Sequence, residues 1–230
     1  MSNMKTRLSM YFIGLFVMTL GVALSVKSDL GVSPVSSIPY TITCVWGMEM
    51  GRATVVFHMA LVLLQMLLLR RAFQLKSLLQ VAVGVVFGAF TSLCNYAVGL
   101  LPTPDLLPFR LAMMLASTVI IALGILLYVP ADVMPLAGEG AMKTISDLTG
   151  VAFPKVKIAF DVSMVVISLT TCLLLIHSPG SVGLGTVIAA VLVGVMLSQI
   201  TRLLGPWRDR LLHPECRSSL PDEDGAALTH

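Results

Sequence analysis

Charge is scarce in this sequence. Charged residues occupy 12% of its 230 positions, where a soluble domain carries about a quarter. That scarcity excludes an ordinary soluble globule. The four cysteines, Cys44, Cys94, Cys172 and Cys216, stand far apart and form no CxxC pair, so neither a zinc site nor a disulfide framework is implied. No glycine-rich P-loop is present, and the chain is not expected to hydrolyse a nucleotide by itself. Ser-Pro and His-Ser-Pro occur, but no nucleophile is set beside a base and an orienting partner. The chain is read as a non-enzyme that needs no cofactor or metal and binds no nucleic acid.

Apolar sequence fills the space that charge leaves. Hydrophobic residues make up 57% of the chain, and the mean hydropathy is +0.93. Several runs reach the roughly 20 apolar residues that span a bilayer. Six spans are expected: Met10–Val26, Ala53–Leu69, Leu78–Leu101, Phe109–Val129, Val156–Ile176 and Val182–Leu204. Helix is their state, because backbone polar groups in lipid must be satisfied internally and the runs are too long for barrel strands. Lys5 and Arg7 precede the first run in the manner of a signal peptide. No small-x-small cleavage site follows, so it is read as a retained helix. Two shorter segments, Pro34–Trp46 and Ala137–Leu148, follow spans one and four and are too short to cross.

With the N-terminus inside, the inner side receives twelve of the fifteen Lys and Arg residues. The outer side receives Lys27, Arg52 and Arg110. This is a clear positive-inside bias, and six spans then put both termini in the cytoplasm. The proline-rich stretch Leu101-Pro102-Thr103-Pro104-Asp105-Leu106-Leu107-Pro108 reads as an outer linker between two halves. Residues 206–230 read as a polar, largely disordered cytoplasmic tail.

A shift of 103 residues lays Met18–Gln65 on Ile121–Ser168. Asp29, Thr41 and Gly47 then meet Asp132, Thr144 and Gly150, and seven further identities keep order and spacing. Each half, 8–101 and 109–205, reads as three spans and a half-helix. Three crossings per half is odd, so the second half should lie inverted. The expected fold is all-α and polytopic, with six transmembrane helices, two half-helices and two inverted three-span repeats. Such repeats place a solute site near the midplane, at the interrupted segments.

The run Lys27-Ser28-Asp29-Leu30-Gly31-Val32-Ser33-Pro34, followed by Gly47, Gly51 and Thr54, resembles the YczE/YitT-like family of bacterial integral membrane proteins. The resemblance covers most of residues 8 to 205. It implies a small polytopic inner-membrane protein whose biochemical activity is largely unassigned. Family members often carry Trp-Asp after the Ser-Pro, where Val35-Ser36 stands here. If that acidic residue belongs to a family site, this chain handles a different ligand.

Ionisable residues within spans default to functional candidates. His58 and Asp161 coincide under the 103-residue shift and are candidates for proton or ion coupling. The alternative is that each lies near a headgroup region, bonded to a carbonyl or water. Asp29 and Asp132 are repeated carboxylates before a turn, read as capping groups or as charges flanking a cavity. Glu139, between glycines at the start of the second half-helix, sits where the helix dipole favours an anion. Its counterpart is Ser36. Ser33, Ser36, Ser37, Glu139 and Thr144 form the expected solute-binding set. Gln65, Gln80, Asn95 and Gln199 are read first as interhelical hydrogen-bond partners.

These features favour a secondary transporter or facilitator for a small polar solute, with proton coupling open to it. Two alternatives stand beside it: the substrate-binding subunit of an energy-coupling transporter, and a non-transport membrane accessory protein. The expected partners are the lipid bilayer and a small-molecule solute, and the glycine faces offer a route to a homodimer.

Overall fold

The computed structural model describes residues 4–70, 73–102, 106–178, 180 and 182–212. Among them the chain is helical, without a strand. The helices are α1 (Met4–Ser28), α2 (Pro34–Trp46), α3 (Met50–Leu69), α4 (Leu79–Gly99), α5 (Leu107–Tyr128), α6 (Ala137–Thr149), α7 (Phe153–Ile176) and α8 (Leu184–Leu212). Stretches long and apolar enough to cross a membrane lie in α1, α3, α4, α5 and α7. The sixth expected span falls in α8, where Val195–Leu204 is the apolar segment found among the described residues. The helix does not stop at 205 as the polar tail implied. It continues across Gly205-Pro206 and through Arg208-Asp209-Arg210 to Leu212. The rest of the expected tail lies outside the described residues.

The short helices α2 and α6 have 13 residues each, about 20 Å of helix. Both end on a left-handed glycine, Gly47 at φ 66° and Gly150 at φ 70°, the residue that adopts this conformation without steric cost. Pro34 opens α2 at a position where a missing N–H is harmless. Glu49 caps α3 by accepting the Gly51 and Arg52 amides at 3.0 Å each.

At the centre α1 and α5 cross in opposite directions, and glycine lets them close. A Cβ on Gly21 would stand 2.7 Å from Ile121 Cγ1 and 3.0 Å from the Ser117 carbonyl. One on Gly124 would stand 2.6 Å from the Met18 amide and 2.8 Å from the Gly14 carbonyl. The two sets of contacts exchange under the 103-residue shift. The packing of α4 on α1 is matched by that of α8 on α5. Gly51 and Gly88 lock α3 to α4, where a Cβ on either would overlap the other's backbone carbonyl. Pro154 holds the position equivalent to Gly51.

The short helices fill the space between α3 and α7, and each touches both. The Ser168 hydroxyl donates to Ser37 Oγ at 3.0 Å, and Cys172 Sγ lies 3.7 Å from Thr41 Oγ1. Thus α2 runs alongside α7 in the same direction. Likewise α6 starts level with Leu61, the twelfth of the twenty residues of α3. Its later residues Met142 and Ile145 join the apolar cluster that holds Phe73, Val81 and Val156, near the ends of α3, α4 and α7.

Candidate functional site

The two short helices begin at the same place. A Cβ on Gly138 would lie 3.9 Å from Val35 Cγ1 and 3.9 Å from Leu61 Cδ1. Val35 and Gly138 are themselves equivalent under the 103-residue shift. Both N-terminal ends therefore meet level with the middle of α3. Each end carries backbone N–H groups without intrahelical partners and the positive end of a helix dipole. Pro39 within α2 removes the donor that would otherwise bond the Val35 carbonyl.

Glu139 lies in the first turn of α6, half-buried. The Tyr128 hydroxyl donates to Glu139 Oε2 at 2.5 Å and accepts the Leu136 amide at 2.7 Å. Tyr11 stands beside it with ring centroids 5.4 Å apart, and its hydroxyl donates to the Met134 carbonyl at 2.8 Å. Two tyrosines from the central helices thus hold the segment that leads into α6. Burial raises the Glu139 carboxyl above the ordinary carboxylate range, opposed by the Tyr128 hydrogen bond and by the charge of Lys157.

Below this turn the Gln65 amide nitrogen donates to Gln80 Oε1 at 3.0 Å and to the Ala137 carbonyl at 3.2 Å. Both glutamines are buried. Gly140 makes room for them, since a Cβ there would stand 2.7 Å from Gln80 Nε2 and 2.9 Å from Gln65 Oε1. The expectation that these glutamines join helices describes their geometry.

The structure does not bring His58 and Asp161 together. His58 is buried on the α4 side of α3, stacked on Phe87 at 5.5 Å and 12°, with Nδ1 unpartnered beside Gly84. Asp161 is paired along its own helix with Lys157 at 2.8 Å, and its Oδ1 is buried without a partner.

Among the serines, Ser33 Oγ donates to Ser36 Oγ at 3.0 Å, and Ser37 Oγ donates to the Pro34 carbonyl at 2.6 Å. These hydroxyls gather at the start of α2. Thr144 is buried one turn further along α6.

Asp29 and Asp132 take a different role from the capping role read in the sequence. The cap positions of α2 and α6 are Ser33 and Leu136, with no side-chain cap bond. Each aspartate instead adopts a left-handed turn, at φ 53° and 48°. Asp29 pairs with Arg110, and Asp132 with Arg7 at 3.8 Å. Arg7 also donates to the Ala131 carbonyl at 3.0 Å. Arg7 and Arg110 are 103 residues apart, so each arginine crosses to the aspartate of the other half. The two arginines lie upstream of Met18–Gln65 and Ile121–Ser168, at positions equivalent under the same shift. Tyr11 and Tyr128 had no such signal, because their repeat partners are Met114 and Ser25.

The arrangement sets a half-buried carboxyl, a tyrosine hydroxyl bonded to it and the N-terminal ends of two short helices close together. Among the described residues no group of three or more His, Cys, Asp or Glu could hold a metal ion.

Comparison with known proteins gives a family and no activity. The chain is 24% identical over 192 residues to "Uncharacterized membrane protein YczE" of Bacillus subtilis (strain 168), covering 83% of each chain. This agrees with the resemblance drawn from the Asp29–Pro34 run. No solved structure matches the chain. The model of the family of unknown function DUF6198 matches residues 5–202. A multi-pass, all-helical membrane protein, this chain belongs to that family.

Proposed function

We propose that this chain is a secondary transporter or facilitator for a small polar solute in the bacterial cytoplasmic membrane. In this reading residues 8–101 and 109–205 are inverted three-span repeats, and both termini are cytoplasmic. The reciprocal contacts of Gly21 and Gly124, the crossed pairs Arg7–Asp132 and Arg110–Asp29, and the antiparallel course of α1 and α5 all support that relation. The distribution of Lys and Arg supports the orientation.

One observation carries the reading: the starts of two half-length helices meet at Val35 and Gly138, beside a half-buried carboxylate. A membrane protein gains no stability from placing irregular backbone and a carboxyl in its interior, and such features mark solute paths. Ser33, Ser36, Ser37, Glu139 and Thr144 would line the site. His58 and Asp161 remain candidates for ion coupling. Glu139 takes the central place, because Asp161 is already matched by Lys157.

The test is a thermal-shift screen of purified protein against amino acids, organic acids, amines, vitamins and sulfonates. Uptake of any hit into liposomes follows. A solute that raises the melting temperature of the wild type and not of Glu139→Gln, and that enters liposomes containing this chain alone, supports the reading. A panel without a hit on well-folded protein overturns it in favour of an accessory or partner-dependent role.

A further inference from the structure

We propose that Glu139 is a proton-binding switch, read out through Tyr128 by the segment 132–136 that leads into α6. The argument starts from one hydroxyl. Tyr128 has a single proton, and the Leu136 amide already occupies one of its lone pairs at 2.7 Å. Its own proton therefore goes to Glu139 Oε2 at 2.5 Å. With Glu139 ionised this is a charge-assisted bond, about twice as strong as its neutral equivalent. Protonating Glu139 weakens it and loosens the hold of Tyr128 on Leu136. The same segment is also held by Tyr11 on the Met134 carbonyl and by Arg7 on the Ala131 and Asp132 carbonyls. A change at one carboxyl thus reaches the turn that sets where α6 begins.

The groups around Glu139 leave it as the one that titrates there. Tyr11 faces it from α1 and Tyr128 from α5. Lys157 acts on it from α7 but is paired with Asp161. Gln65 and Gln80, from α3 and α4, are neutral, and His58 stands three residues before Leu61 with its ring turned to Phe87 and Gly84. On α6 itself Lys143 is exposed. No ion pair joins Glu139 among the described residues. Its burial favours the protonated form. The equivalent position in the first half is Ser36, bonded to Ser33, so the switch belongs to one short helix and not the other.

As a coupling step this rests on the transporter reading. As a proton site it is tested in the resting protein, with no solute present. The experiment is infrared difference spectroscopy of the full chain in lipid across a pH series, alongside amide hydrogen exchange of residues 132–136. Wild type, Glu139→Gln and Tyr128→Phe are compared. The wild type should gain a protonated-carboxyl band as pH falls, and exchange in 132–136 should quicken about threefold over the same range. Glu139→Gln should lose both responses. Tyr128→Phe should keep the band, with its midpoint about one pH unit higher, because the bond favouring the ionised form is gone. Its exchange should no longer follow pH. A carboxyl band untouched by Glu139→Gln, or exchange in 132–136 indifferent to pH in the wild type, overturns the proposal. If Glu139→Gln does not fold, Glu139→Asp replaces it, and an unchanged band frequency and midpoint overturns the proposal equally. A titrating carboxyl in a protein that moves no solute keeps the switch and removes the transporter reading.

Discussion

Val35 and Gly138 face each other where the two short helices begin, with room for one added carbon at 3.9 Å. Gly124, at the crossing of α1 and α5, has no such room: its Cβ would stand 2.6 Å from the Met18 amide. The same substitution should therefore act in opposite directions. Gly138→Ala gains helix propensity without a clash and should stabilise by up to about 1 kcal/mol. Gly124→Ala should destabilise by about 1–3 kcal/mol through overpacking. Thermal unfolding in one detergent decides it, and equal effects would remove the close crossing.

Gln65 bonds both Gln80 and the Ala137 carbonyl. Gln65→Leu should cost about 1–2 kcal/mol, within the range for leaving buried polar groups unpaired. Adding Gln80→Leu should recover part of that loss by removing one orphaned partner. Additive losses in the double variant would show that the two side chains are not coupled.

Glu49 gives a pH prediction of definite sign. Burial raises its carboxyl, but the amides of Gly51 and Arg52 and the Ser92 hydroxyl outweigh this, and the net effect is a value below the ordinary 4.5. A lowered value means that the stability it contributes is complete above about 4.5 and is lost as pH falls through the lowered value. Glu49→Gln should flatten the acid limb of the stability curve in that window. Because the group is largely exposed, solvent screening keeps the effect small. An acid limb identical in both proteins would exclude Glu49 from it.

The crossed pairs Arg110–Asp29 and Arg7–Asp132 involve aspartates with exposed side chains. Each should couple by no more than about 1 kcal/mol in a double-mutant cycle. The backbone matters more. Asp29 and Asp132 hold positive φ, so Asp29→Gly should be tolerated, whereas Asp29→Val should cost about 1–2 kcal/mol. A Val variant as stable as the Gly variant would contradict the left-handed turn.

The proposed topology makes its own prediction. In a background whose four cysteines are replaced, Lys76→Cys should react with a membrane-impermeant thiol reagent only after the cells are opened. Arg52→Cys should react in intact cells. The reverse pattern would invert the orientation.

The sequence alone determined the membrane class, the helical state and the two short segments. Each depends on composition, run length and the rule that backbone in lipid bonds to itself, none of which needs a partner. The 103-residue correspondence was legible because Asp29, Gly47 and their counterparts mark turns of the same left-handed conformation. Partnerships were decided by tertiary structure. His58 and Asp161 coincide in the repeat, yet one faces Phe87 and the other Lys157, because a sequence shift gives equivalence and not contact. Glu139 was visible as a carboxylate at a helix start. That Tyr128 and Tyr11 hold its segment was not visible, since both come from distant helices whose rotation about their axes is set by glycine packing between α1 and α5.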